Sequence, residues 1–291
     1  YPHWVPRRYE FCKIDIQLLD PFPKKGKKAV RISYRLFYFQ QMKKMIGVVG
    51  GMGPYAGLDL VKKIFDLTIA SSDQDHVPIT MVSVPHIIED RTKFLSGESP
   101  DNPGIAISKV VEHLANQGAS VIGMPCNTAH SPMIFQEIEK RLPHNIAFIH
   151  MIQEVVRFIV EQFPAVSNVG ILATSGTLNT SIYDDELKRK GLEPVLLSDQ
   201  EQNGLVDSSI YDPEYGIKSF SSPVAQQAKQ NLKKGILSLI KNSAEAIILG
   251  CTEIPIAITE SSYKSIPLID TTKVLARALL LNSNPDSLKN N

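Results

Sequence analysis

Cysteine is scarce in this chain, with three among 291 residues. A small odd number in a long chain argues against a disulfide framework and fits a reducing compartment, so a cytoplasmic location is expected. There is no CxxC pair and no Cys/His cluster with metal-ligand spacing, so no metal is expected. No apolar run nears the ~20 residues that span a bilayer, and no membrane partner is expected. Neither a G-x-S-x-G nor a Walker A pattern occurs, which removes the nucleophile elbow and the P-loop from consideration. Excess charge is lacking too: the net is +1, with 43% hydrophobic and 21% charged residues, an ordinary globular composition. A chain of this length can bury one large core or two.

The near-neutral balance hides an asymmetry. Residues 1–44 hold 11 Lys/Arg against 3 Asp/Glu, a net of +8, which leaves −7 for the remainder. This basic leader contains Lys24-Lys-Gly-Lys-Lys28, lacks a sustained period, and has neither the apolar h-region nor the cleavage site of a secretory signal. A nucleic-acid-binding arm and a transit peptide are the alternatives; translated upstream sequence or a non-native leader, loosely ordered, is the expectation, with no nucleic-acid partner. Cys12 lies in this leader and reads as incidental.

What is present is a repeated frame. Ile46-Gly-Val-Val-Gly-Gly-Met-Gly53 and Val169-Gly-Ile-Leu-Ala-Thr-Ser-Gly176 open two halves alike. Val121-Ile-Gly-Met-Pro-Cys126-Asn-Thr and Ala246-Ile-Ile-Leu-Gly-Cys251-Thr-Glu then carry one cysteine each. The step from Gly47 to Cys126 is 79 residues and that from Gly170 to Cys251 is 81. A half-domain that folds twice and pairs about a pseudo-twofold axis would set two thiols face to face. Two like acid/base groups on opposite faces of one carbon are what a stereo-inverting reaction needs.

From Met45 onward, strand candidates at 45–50, 78–84, 119–125, 145–150, 168–173, 193–198, 245–250 and 266–269 alternate with helical patterns. Helices are expected near 54–70, 104–117, 132–141, 152–163, 179–190, 223–241 and 271–281. In the first, Leu58, Val61, Ile64, Phe65 and Thr68 share a face, and Ser131-Pro132 and Ser222-Pro223 read as N-cap and N1 pairs. The alternation predicts an α/β fold of two similar three-layer αβα lobes with mainly parallel sheets. The expected divisions are the leader 1–44, an N-terminal lobe of 45–150 plus 268–291, and a C-terminal lobe of 151–267. Ligands of such sheets bind beyond the carboxyl ends of strands, where both cysteines fall.

A lone cysteine is usually a small buried hydrophobe; the matched pair argues for chemistry. Each precedes polar residues able to start a helix, whose N–H groups and dipole favour thiolate. Gly50-Gly-Met-Gly-Pro-Tyr-Ala56 contains a GxGxxA match, but Pro54 removes an amide where a pyrophosphate would want one, and no acidic residue ends the second strand. A loop cradling a small carboxylate is the better reading. Arg91 follows the second strand and can grip a carboxylate bidentately. Lys218 lies in the corresponding region of the second half. His86 and His130 are read as structural.

Together, Gly50-Gly-Met-Gly-Pro54, Asp90-Arg-Thr92, Met124-Pro-Cys-Asn-Thr-Ala-His130, Leu172-Ala-Thr-Ser-Gly-Thr177 and Gly250-Cys-Thr-Glu253 resemble the aspartate racemases of the aspartate/glutamate racemase superfamily, from about Met45 to about Leu280. Met52-Gly53 and Glu253 stand where glutamate racemases usually carry Ser-Gly and His. The resemblance implies cofactor-independent racemisation of aspartate, and of glutamate as a further substrate, with Cys126 and Cys251 as thiolate and thiol. It implies Arg91 and Lys218 on the substrate carboxylates, with Met52, Gly53, Asn127, Thr128 and Thr252 around the amino acid, and a homodimer. Three alternatives stay open: a broad-specificity amino-acid racemase, a related cysteine-dependent isomerase or decarboxylase of a small carboxylic acid, and a non-catalytic binding protein.

Overall fold

A computed structural model describes residues 43–289. The expectations for Cys12 and for the leader up to Met42 lie outside these residues. Lys44 is tied into the fold: its N–H donates to Asn284 Oδ1 at 3.0 Å, and Asn284 Nδ2 donates to its carbonyl at 2.9 Å.

In chain order, the first half runs β1 (Met45–Gly50), α1 (Pro54–Leu67), β2 (Ile79–Ser83), α2 (Arg91–Leu95), α3 (Pro103–Asn116), β3 (Ala119–Gly123), α4 (Pro132–Glu139) and β4 (Ala147–Ile149). The connecting α5 (Met151–Gln162) leads to β5 (Asn168–Leu172), α6 (Ser175–Leu178), α7 (Ile182–Arg189) and β6 (Glu193–Val195). A helical stretch α8 over 199–211 follows, with a π-helical turn at Gln202–Asp207. Then come α9 (Gln226–Lys241), β7 (Ala246–Leu249), α10 (Ile254–Ala257), β8 (Ser262–Tyr263), β9 (Ile266–Asp270) and α11 (Thr271–Ser283).

The strands form two sheets, ordered β2-β1-β3-β4 and β6-β5-β7-β9-β8. Every pairing is parallel except β8 with β9. The two share the order second-first-third followed by a last parallel strand, with the short β8 added antiparallel at the edge of the second, so the α/β expectation with mainly parallel sheets is met. The likeness of the two sheets extends to individual contacts. A Cβ on Gly47 would lie 2.9 Å from Ala119 Cβ and 3.0 Å from Ile122 Cγ1; one on Gly170 would lie 3.0 Å from Ala244 Cβ and 3.1 Å from Ile247 Cγ1. At both places the glycine makes room for side chains of the neighbouring strand segment, with a helical leucine, Leu114 or Leu239, next in line at 3.4 and 3.3 Å.

Four expectations need correction. The buried face of α1 is Ala56, Gly57, Leu60, Ile64 and Leu67, whereas Leu58 is 53% and Phe65 37% exposed. The small pair Ala56/Gly57 allows close approach to Met81 and Gly50, so residue size, not apolarity alone, chose the face. The helix expected over 179–190 starts later, at Ile182 after Ser181 with φ 54°, and the separate turn α6 precedes it. Ser222-Pro223 is not a helix start: that peptide is cis, and α9 begins at Gln226 after Ala225. Leu268–Asp270, placed with the first lobe, instead pair with β7 in the second sheet, and the chain crosses back at Thr271. Ser131-Pro132 does start α4, although the Ser131 hydroxyl makes no cap hydrogen bond.

One apolar core joins the halves, combining Ile46, Val48 and Val121 of the first sheet with Val169, Ile171, Ile248 and Ile269 of the second, and with α5 and α11. Separate cores fill the outer side of each sheet. The carboxyl ends of β1, β3, β5 and β7 are thus held by shared packing. No helix among the described residues is long and apolar enough to cross a membrane.

Candidate active site

The loops that leave those strand ends close on one small pocket. Met52, Arg91, Cys126, Asn127, Thr128, Lys218, Cys251 and Thr252 all line it. Gly53 lines the adjoining pocket, which shares Asp90, Arg91, Lys218 and Glu253 with the first. His86 faces a different groove, beside Asp101 and Lys109. Both cysteines are buried and unpaired.

Each cysteine is seated by local bonding. The Cys126 N–H donates to the Met124 carbonyl at 2.9 Å. Its own carbonyl accepts from His130 Nδ1 at 2.8 Å, while His130 Nε2 accepts from the Met151 N–H at 3.2 Å. Burial, reinforced by nearby His150, pushes the His130 pKa well below the usual value, so the ring is a neutral staple fixing the turn after β3. His150 is likewise held down, to about 4, by burial. Only single helical turns follow the cysteines, Thr128–His130 and Ile254–Ala257. The dipole of one turn is small, and charged side chains from other loops set the electrostatics instead.

Those charges differ in sign. Asp90 caps α2, accepting from the Thr92 and Lys93 N–H groups, and so aims Arg91 into the pocket. Burial alone would lower the Arg91 pKa; the Cys126 sulfur, Asp90 and Glu253 together raise it, keeping the guanidinium charged. Its Nη1 donates to the Glu89 carbonyl at 3.1 Å, but its Nε is buried without a partner. Cys251 faces a carboxylate: its thiol donates to Glu253 Oε2 at 3.0 Å. Burial, then the Glu253 charge, push the Cys251 pKa well up, so it rests as a thiol.

Lys218 reaches the pocket by a tight reversal. Asp212 Oδ1 accepts from the N–H groups of Glu214 and Tyr215, and the chain folds back so that Lys218 N–H donates to the Ile210 carbonyl at 3.1 Å. Gly216 is required there, because a Cβ would meet the Asp212 carbonyl oxygen at 2.5 Å. The ammonium lies 5.4 Å from the Tyr211 ring centroid and 4.0 Å from Glu253 Oε1. Burial would lower its pKa, yet Glu253, Tyr211 and Cys251 raise it, so it remains cationic.

Sequence reasoning left several lining residues without a role: Asp90, Thr174, Thr177, Tyr211 and Glu253. The repeat contained a usable signal. Counted from Gly47 and Gly170, Thr174 falls opposite Gly51 and Thr177 opposite Pro54, so the first loop's counterpart should also face the site. That loop is anchored by α8. Gln202 Nε2 donates to the Ala173 carbonyl at 2.9 Å and Asp207 Oδ1 accepts from the Ser175 N–H at 2.9 Å. The Thr177 hydroxyl meets that of Thr128 at 2.8 Å across the two halves.

The sequence pattern described as Asp/Glu/Hydantoin racemase matches residues 49–279. The chain belongs to this racemase family. Among individual proteins, the broad specificity amino-acid racemase RacX of Bacillus subtilis is 29% identical over 240 residues, covering 80% of this chain and 96% of that protein. The solved aspartate racemase of Picrophilus torridus superimposes with a TM-score of 0.69 at 29% identity, covering 82% of this chain and 94% of its own. A glutamate racemase from Francisella tularensis, at 18% identity and a TM-score of 0.55 over 86% and 84% of the two chains, shares the fold.

Proposed function

We propose that this racemase-family enzyme interconverts the enantiomers of a small acidic amino acid, aspartate first and glutamate second, without a cofactor, using Cys126 and Cys251 as its two bases. The observation that carries this reading is the opposite charge environment of two cysteines lining one pocket. Cys126, beside the Arg91 guanidinium, acts as the base that removes the α-proton from one face. Cys251, its proton held by Glu253, delivers a proton to the other face. The thiolate becomes a thiol and the thiol a thiolate, so atoms and charge balance, and the product is the opposite enantiomer.

The difficult species is the carbanion, whose charge must pass into the α-carboxylate. Two buried donors without partners, Arg91 Nε and Asn127 Nδ2, face this need; a carboxylate would satisfy both and strengthen both bonds as charge develops. Lys218 supplies a second cation, which suits a second carboxylate. The name of the Picrophilus torridus relative agrees with this substrate.

A broader amino-acid range is the second reading, favoured by the adjoining pocket, where Tyr55, Pro85 and Ile88 could take a longer side chain. We also infer a homodimer, to which Tyr55, Leu58 and Phe65, exposed along α1, offer an apolar surface. Chiral chromatography of a panel of L-amino acids after incubation with the enzyme tests the substrate. Aspartate should racemise fastest. Turnover confined to neutral amino acids overturns the acidic reading, and no turnover of any amino acid overturns the racemase reading.

A further inference from the structure

We propose that Tyr183 is a positioning residue: it ties the two cysteine turns together and aims the Asn127 amide into the pocket. This rests on the racemase reading above. Tyr183 lies on α7, is 2% exposed, and does not line the pocket. Its ring packs on Gly250, where a Cβ would lie 3.3 Å from Tyr183 Cε2. Gly250 immediately precedes Cys251. Its hydroxyl crosses to the first half and donates to Asn127 Oδ1 at 2.5 Å. Asn127 immediately follows Cys126. One rigid side chain thus touches the neighbours of both cysteines.

The chemistry of this contact is directional. Burial, aided by the nearby Cys251, keeps the phenol protonated well beyond its ordinary range. It has one proton to give, and that proton goes to Oδ1. With its oxygen occupied, the amide must turn Nδ2 the other way, where it is buried with no partner in the protein. An Asn side chain rotates readily when nothing holds it. Without the hydroxyl, Nδ2 loses its fixed aim. A tyrosine that only filled the core would need just any acceptor for its hydroxyl, and a backbone carbonyl would serve. Here the acceptor is a pocket amide on the opposite half.

Replacing the oxygen alone separates the two roles. Tyr183→Phe keeps the ring against Gly250 and removes the bond to Asn127. The variant should lose about 10- to 100-fold in kcat, with KM held within about twofold, because a donor is misaimed and binding contacts persist. Its melting temperature should stay within about 4 °C of the parent. The double variant Tyr183→Phe/Asn127→Ala should be no slower than Asn127→Ala alone, since Tyr183 acts through that amide. Parent-like kcat in Tyr183→Phe, or losses that multiply in the double variant, overturns the proposal. A readout independent of turnover is the Asn127 side-chain amide in ¹⁵N NMR, assigned by its loss in Asn127→Ala. Tyr183→Phe should collapse its dispersed pair toward unstructured shifts. An unmoved pair overturns the positioning role, whereas an inactive parent enzyme with a moved pair overturns only the racemase reading.

Discussion

Cys126 and Cys251 follow corresponding strands, β3 and β7, each the third in chain order of its sheet, yet their surroundings carry opposite charge. Cys126 has the Arg91 guanidinium nearby and a neutral histidine on its carbonyl. Cys251 has the Glu253 carboxylate accepting its proton. The repeated sequence frame accompanies similar backbone arrangements in both halves, down to the glycines at 47 and 170. The charges came from places where the halves differ: the loop before α2 in the first, and the residues after the cysteine in the second. Equal scaffolds with unequal charge are what a two-base reaction requires, because one group must begin with a proton and the other without.

Removing either sulfur breaks the comparison most severely. Cys126→Ala and Cys251→Ala should each lower racemisation by at least about 10³-fold, since every turnover uses both faces. Each variant should retain slow α-proton exchange with deuterated solvent on one enantiomer, and the two should prefer opposite enantiomers. Polarimetry and proton NMR read both quantities; near-normal racemisation in either variant contradicts the assignment.

Removing a cation while leaving both sulfurs comes next. Arg91→Ala should cost about 2–4 kcal/mol in kcat/KM for aspartate, roughly 30- to 1000-fold, through loss of a charge-assisted pair in a buried site. Lys218→Ala should fall in the same range for aspartate and matter far less for alanine. Steady-state assays with both amino acids check this, and equal losses on the two would argue against Lys218 meeting a second carboxylate.

Equalising the charges sharpens the comparison with the smallest change in chemistry. Glu253→Gln removes the negative charge that raises the Cys251 pKa. The resting enzyme needs Cys251 protonated, so activity is lost as pH rises through that pKa. A lowered pKa moves the alkaline limb of the kcat/KM profile toward lower pH. A racemisation has an equilibrium constant of one, so kcat/KM is equal for the two enantiomers, and any asymmetry appears only in kcat and KM separately. An unmoved alkaline limb would show that Glu253 does not govern the proton on Cys251.

Much of this was legible in the sequence. The strand–helix alternation located eight of the strands because buried parallel strands are short, continuous apolar runs, and the repeated cysteine frames pointed to the candidate site. Periodicity misplaced the face of α1, because Ala56 and Gly57 weigh little as apolar residues yet decide how closely the helix can pack. The stretch 199–211 went unread because its buried positions include the polar Gln202 and Ser209, the first satisfied by the Ala173 carbonyl in another loop and the second by the Leu205 carbonyl one turn back. The reach of Lys218 depends on the reversal through Gly216, which no period signals. Tyr183 was hidden for a similar reason: its partner, Asn127, is 56 residues away in the other half.

The most direct test of the unequal pair is alkylation of the parent enzyme by iodoacetamide near neutral pH, with each cysteine's modification followed separately by mass spectrometry. Cys126 should be modified quickly and Cys251 slowly, and saturating aspartate should protect Cys126. Equal rates at the two cysteines, faster modification of Cys251, or no protection by aspartate would contradict the account.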